Sequence, residues 1–259
     1  MEGTKHAEIV RRQFNRQAEA YAEMQVVRDQ RMLEFLAGIS GVAREDSVID
    51  VACGPGFMTM AFAERAARVV GVDITDRFLE NARAEAARRR LTNVTFLQGD
   101  VENLHFGPGT FRIALCRFAF HHFPSPERVL VEMKRVLTRD GKIVLADMLA
   151  SEDPEKAEYQ DRIERLCDPT HASALSESRF RSMFGALGLK VAFEIKGETS
   201  YALKDWLRHG GPGREATQEI EALMRDSIEV DRSGLQVRIE NDEIHFTHTG
   251  ATFVLSRDA

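Results

Sequence analysis

The chain has 259 residues, of which 43% are hydrophobic and 29% charged, and a formal net charge of −6. This length holds one large α/β domain, or one domain carrying a lid. The acidic balance argues against a polyanionic partner. The run Arg88–Arg90 follows Arg83 and Glu85, and reads as the end of a solvated helix face rather than a nucleic-acid patch. Cys53, Cys116 and Cys167 are widely spaced, odd in number and without a CxxC pair, which speaks against a disulfide framework or a zinc site. The first twelve residues are charged and no apolar run reaches membrane-spanning length. The expectation is a cytoplasmic protein with no membrane span.

Residues 1–40 are mostly helical in pattern, with Phe14, Ala18 and Tyr21 on one face. Val48–Val51 is the first expected strand, followed by a glycine-rich turn and a helix from near Phe57. Val69–Val72 is the second strand. Phe78, Leu79, Ala82 and Ala86 then share a helix face. Val94–Leu97 and Ile113–Cys116 are the third and fourth strands. Ser125-Pro126 opens a helix with Ser125 as N-cap, and Asp140-Gly141 is expected to stop it before a fifth strand at Ile143–Ala146. Further on, the pattern predicts a helix near Glu155–Cys167 and one from the cap Ser176 to Gly188. A sixth strand is expected at Lys190–Ile195, and helices across 199–231 broken at Gly210–Gly213. The chain then ends in a strand pair, Ile244–Phe246 and Thr252–Leu255, around a Thr-Gly turn. Apolar strands separated by helices predict a doubly wound α/β fold around a mostly parallel sheet. The expected division is an N-terminal helical lid at 1–40, a cofactor-binding α/β core at 41–150, and the remainder of the core with lid insertions at 151–259. Trp206 is expected in the lid core.

The informative stretch is Asp50-Val-Ala-Cys-Gly-Pro-Gly56. Gly54 and Gly56 fall after the first strand, where open α/β sheets bind ligands. Glycine there lets the backbone turn and lets a ligand lie against it. A dinucleotide fingerprint needs a third glycine, and Thr59 stands in its place. Asp50, Asp73 and Asp100 end three successive strands. Asp73 suits ribose hydroxyls and Asp100 an adenine amino group. Three carboxylates favour an adenosyl cation over a dinucleotide. His121-His122 is the candidate for a base or a substrate-orienting group. The alternative is that one of the pair caps a helix or bonds a carbonyl. A metal site from His121, His122, His171 and Asp168 is poorly supported by the spacing, so no metal is expected.

These motifs together resemble class I S-adenosylmethionine-dependent methyltransferases. Asp50-x-Ala52-x-Gly54-x-Gly56 is similar to the family's first motif, with Ala52 where a glycine is usual. Gly71-Val-Asp-Ile74, Gly99-Asp-Val-Glu102 and Gly141–Asp147 follow in the family's order. Phe118–Pro124 and Phe14–Tyr21 point to the ubiquinone/menaquinone C-methyltransferase-like branch, strongly over residues 10–149. Asp168-Pro-Thr-His171 is similar to some bacterial members. The resemblance implies a Rossmann-like, seven-stranded sheet with helical lid segments. It implies S-adenosylmethionine as cofactor and S-adenosylhomocysteine as product. The backbone of Ala52–Gly56 would hold the methionine end, Asp73 the ribose, Ile74 the adenine face, and Asp100 with Val101 the adenine edge. Cys116 and Arg117 would border the methionine amino group and the substrate, and Tyr21 would close over the cofactor. The motif [DNS]-P-P-[YFW] of nucleic-acid methyltransferases is missing, with Cys116–Ala119 in its place. The expected partner is therefore a small molecule, methylated at carbon or oxygen. A nicotinamide-dependent reductase and a non-catalytic cofactor-binding module are the alternatives.

Overall fold

A computed structural model describes residues 2–257, apart from the side chains of residues 2–5, 20 and 209. Met1, Asp258 and Ala259, the outermost residues of the 1–40 and 151–259 segments, lie outside the described residues.

Three helices come first: α1 (Glu2–Glu23), α2 (Gln25–Arg28) and α3 (Gln30–Ser40). The alternation then begins with β1 (Ser47–Val51), α4 (Phe57–Ala63), β2 (Arg68–Asp73), α5 (Asp76–Arg88), β3 (Val94–Gln98) and β4 (Phe111–Arg117). A single 3-10 turn (Phe120–His122), α6 (Pro126–Val136) and β5 (Leu137–Met148) follow. The rest is α7 (Pro154–Cys167), α8 (Glu177–Ala186), β6 (Leu189–Ala202), α9 (Leu203–Gly210), α10 (Arg214–Asp226), β7 (Arg238–Glu240) and β8 (Glu243–Arg257). The strand order is β3-β2-β1-β4-β5-β8-β6, with the short β7 paired to β8. The first five strands run parallel, and β8 is antiparallel to β5 and β6. The expected doubly wound, seven-stranded Rossmann-like sheet is therefore present, with β7 as an eighth strand at its margin.

The apolar strands are sandwiched as their composition demands. On one face α3 and α4 bury Leu33, Leu36 and Phe62 against Val48, Leu115 and Val144, and α5 closes on Phe96 through Leu79 and Ala82. On the other, α6 and α8 bury Val129, Met133, Phe180 and Phe184 against Ile49, Ala114 and Phe253. A smaller core lies beyond the strand ends, where Ile163, Trp206, Ile220, Met224 and Phe246 pack together.

Several local expectations are corrected. Helix α6 ends at Val136, before Asp140-Gly141, because the chain joins β4 already at Leu137. Gly141 serves close packing instead: a Cβ there would lie 3.0 Å from the Thr138 carbonyl and 3.1 Å from that of Arg112. Ser125 precedes α6 but its side chain makes no cap bond, whereas Ser176 does cap α8 through Arg179 N. Residues 199–202 continue β6 rather than starting a helix. No turn breaks the last strand at Thr249-Gly250, since β8 is continuous. Gly250 faces Met148 in register, and a Cβ on it would meet the Asp147 carbonyl at 3.2 Å. The hairpin is one step earlier, where Asn241 and Asp242 both have positive φ between β7 and β8.

Candidate functional site

At the carboxyl ends of β1, β2 and β4 lies a cavity whose empty space, counted out to its mouth, is about 1150 Å³. Its floor is the turn after β1. Ala52, Gly54 and Gly56 have φ of 57°, 52° and 77°, so the turn uses the left-handed region three times within five residues. Ala52 bears the steric cost that a glycine would avoid. Ala52 and Gly54 face the cavity. Gly56 does not: it packs beneath, where a Cβ would lie 2.7 Å from the Phe96 ring.

Asp50 and Asp73 are 2% and 6% exposed, yet both border the cavity. The Thr59 hydroxyl donates to Asp50 Oδ2 at 2.6 Å. Burial, with Asp73 adding to it and Thr59 opposing, pushes the Asp50 carboxyl up to about 7. Asp73 accepts from Gly54 N through Oδ2 and from Thr75 N through Oδ1, each at 2.8 Å. Burial still raises its pKa, despite those two bonds. Asp100 is exposed beyond β3 and accepts from Glu102 N at 2.9 Å, and it lines the cavity with Ile74 and Val101.

The roof comes from the N-terminal helices. Phe14 and Tyr21 pack on Phe78 of α5, and burial raises the Tyr21 phenol so that it stays protonated. Arg117 borders the cavity, lies 4.4 Å from the Phe118 ring centroid, and donates to the carbonyls of Val26 and Val27. It thereby ties α2 to the end of β4. Cys116 is 1% exposed and belongs to the core cluster beneath the sheet, away from the cavity.

Over residues 49–145 the chain matches the model of a methyltransferase domain. The uncharacterized methyltransferase YcgJ of Bacillus subtilis is 31% identical over 207 residues, spanning 80% of this chain and 82% of that protein. This chain belongs to the methyltransferases. The crystal structure of YcgJ superposes with a TM-score of 0.84 at 28% identity, covering 88% of this chain and 99% of that one. A demethylmenaquinone methyltransferase of Deinococcus radiodurans is 36% identical over 102 residues, 39% of this chain and 42% of that protein. A geranyl diphosphate methyltransferase solved in complex with SAM shares the fold at TM-score 0.66 and 16% identity, covering 93% and 90% of the two chains.

In this methyltransferase the two adjacent histidines are placed differently. His122 borders the cavity and His121 does not. His121 Nδ1 lies 2.6 Å from Asp147 Oδ1, and since a carboxylate only accepts, that nitrogen carries the hydrogen. Asp147 also accepts from Phe120 N and Met148 N. Burial opposes charge on His121, but the 1% exposed Asp147 side chain outweighs it and the pKa rises. His122 goes the other way, held well below the usual range by burial and by His121 and His171. The His121 and His122 ring centroids are 4.1 Å apart. Sequence reasoning missed Asp147, Thr59 and the residues His6, Ala7 and Val10 that α1 adds to the cavity wall. The first two were visible as a carboxylate near the end of β5 and a hydroxyl in the first turn of α4. The α1 contribution has no motif.

Proposed function

We propose that this methyltransferase transfers the methyl group of S-adenosylmethionine to a small-molecule acceptor, at carbon or oxygen. The observation that carries the reading is the gathering of Asp50, Asp73 and Asp100, from three successive strand ends, along one cavity. Two of these carboxyls are buried, and burial is costly for a charge without a partner. A ligand with a cationic sulfonium and ammonium group offsets that cost, whereas a pyrophosphate adds to it. The residues fit the cofactor. Tyr21 and the Ala52–Gly54 backbone would hold its methionine end, Asp73 the ribose, and Ile74, Asp100 and Val101 the adenine. Arg117 would border the amino-acid group. Gly56 and Cys116 would support the site from below.

When bound, the cofactor supplies an activated methyl group, so the chain's task is alignment and exclusion of water. Helix α1 and Arg117 close the cavity, and the apolar wall of Val10, Phe14, Phe118 and Phe123 suits an apolar acceptor of modest size. His122 at the wall and the His121–Asp147 pair behind it would orient the acceptor or take its proton. One relative is named as a demethylmenaquinone methyltransferase, for an organic acceptor in keeping with this reading. Among the described residues no helix is long and apolar enough to cross a membrane.

Calorimetry with S-adenosylhomocysteine and NAD tests the cofactor. Binding of the first and not the second is expected, and the reverse overturns the proposal. Turnover with labelled cofactor against quinols, phenols and amines then finds the acceptor, and failure of every class while the cofactor still binds would favour a non-catalytic binding module.

A further inference from the structure

The segment after α7 docks beneath the histidine pair. Ala172 N and Ser173 N donate to the His121 carbonyl at 2.8 and 3.2 Å. His122 Nδ1 lies 3.2 Å from the Thr170 carbonyl oxygen and 3.0 Å from Thr170 Oγ1. A carbonyl oxygen can only accept, so Nδ1 carries the hydrogen. The hydroxyl agrees with this. Its single hydrogen goes to Asp168 Oδ1 at 2.7 Å, which leaves Oγ1 as an acceptor toward His122. Asp168 Oδ1 is itself fixed by Thr170 N at 2.8 Å. Donation therefore runs one way, from His122 to Thr170 to Asp168, through a threonine with no exposed surface. The lone pair of His122 is left on Nε2, on a ring that borders the cavity, and among the described residues no hydrogen-bond partner meets it.

The groups around this ring keep it uncharged. His121 behind it, His171 on the docked segment and His6 on α1 each disfavour a proton on it, on top of burial. His6 Nε2 meets the His122 carbonyl at 2.8 Å, and Phe14 packs edge-on against the imidazole with centroids 5.2 Å apart. A neutral imidazole beside a sulfonium avoids like-charge repulsion and still offers a hydrogen-bond acceptor.

We propose that Asp168 and Thr170 are positioning residues for the methyl transfer, holding His122 as its Nδ1–H tautomer so that Nε2 accepts a hydrogen bond from a hydroxyl or N–H of the acceptor molecule. The inference rests on the methyltransferase reading of the cavity and narrows it to acceptors that carry such a donor. The role is orientation, with no covalent step at the histidine. A docked segment is thereby part of the recognition machinery, because undocking it frees the imidazole to change tautomer.

The test needs no known acceptor. Two-bond proton–nitrogen spectra of histidine-labelled full chain, saturated with S-adenosylhomocysteine at neutral pH, separate the two tautomers and the imidazolium. A neutral Nδ1–H form is expected for His122, and an Nε2–H form or an imidazolium overturns the proposal. Thr170→Val and Asp168→Asn should raise the minor tautomer about threefold to tenfold, the worth of one neutral hydrogen bond, with Thr170→Ser restoring the parent spectrum. No change in either variant overturns the positioning role. A merely structural contact would alter melting in all three variants without this pattern. Phenols, quinols and amines added to the cofactor-loaded protein should include a class that moves the Nε2 resonance, and no movement with any of them overturns the recognition half. Calorimetry on the same samples keeps the two readings separable. Loss of S-adenosylhomocysteine binding in the parent protein would refute the cofactor assignment, while the tautomer result concerns the histidine alone.

Discussion

Asp73→Ala should weaken the cofactor site and the fold together, in a ratio the geometry sets. The Asp73 carboxylate accepts two backbone N–H groups, from Gly54 and Thr75. Leaving a buried donor unpaired costs about 1–3 kcal/mol. Burial of the carboxylate, which raises its own pKa, returns part of that, so the net loss is about 2 kcal/mol. At this chain length that lowers the melting temperature by about 4–8 °C. Affinity for S-adenosylhomocysteine should fall about ten- to a hundredfold if the carboxylate takes the ribose hydroxyls, since hydrogen bonds to a charged group contribute about 1.5–3 kcal/mol. Scanning calorimetry and titration calorimetry on one preparation measure both. A melting shift with unchanged affinity would make Asp73 a brace for the turn and no ligand. Lost affinity with an unchanged melting temperature would mean the two backbone bonds hold nothing. Absence of both changes would refute the reasoning altogether.

The raised Asp50 carboxyl makes ligand-free stability pH-dependent. Its folded pKa, about 7, lies above its ordinary value, so its contribution is complete at acid pH and is lost as pH rises toward neutrality. Urea titrations at several pH values should show this slope, and Asp50→Asn should flatten it. Binding of the cationic cofactor near pH 6.5 should release protons from Asp50, visible as buffer-dependent binding enthalpy. Gly56→Ala should destabilise by at least about 1–2 kcal/mol from its positive φ alone, with a further loss from the Phe96 ring 2.7 Å away. Gly56→Ala with Phe96→Leu should recover only the second part in denaturant melts. Arg117→Lys removes the fork that holds the Val26 and Val27 carbonyls, so amide exchange around residues 24–29 should quicken and S-adenosylhomocysteine should dissociate faster. Unchanged exchange there would show that α2 does not depend on the guanidinium.

The central alternation was legible because parallel strands are apolar along their whole length and the helix faces repeat cleanly. Val48–Val51 and Val69–Val72 fall inside β1 and β2, and the face of Phe78, Leu79, Ala82 and Ala86 is buried as its spacing requires. Legibility fell where the period fails. Thr199–Ala202 belong to a two-stranded ribbon beyond the main sheet, and Thr249-Gly250 mark the point where β8 runs past the end of β5, so the apolar period of the core fails there and they read as helix and turn. In the site, strand ends located Asp50, Asp73 and Asp100 because sequence order maps onto position along the sheet. Adjacent histidines carry no such information. Only the fold shows that His121 sits on Asp147 while His122 faces the cavity, and that both also hold the segment after α7. Removing both histidines would therefore release that segment as well as the imidazoles, so single substitutions are the cleaner probe.

The ribbon formed by β6 and β8 separates two kinds of change. The same two strands that complete the sheet run on past it, pairing Glu198–Ala202 with His245–Thr249, and carry Tyr201, Phe246 and His248 into the outer cluster with Trp206. The cavity turn after β1 lies three strands away across the sheet order. Mutations at the ribbon tip can thus reshape the outer cluster while its base, anchored in the sheet, keeps the register of the whole. Such an arrangement lets descendants of one ancestral chain diversify at the tip without renegotiating the turn beneath Asp50.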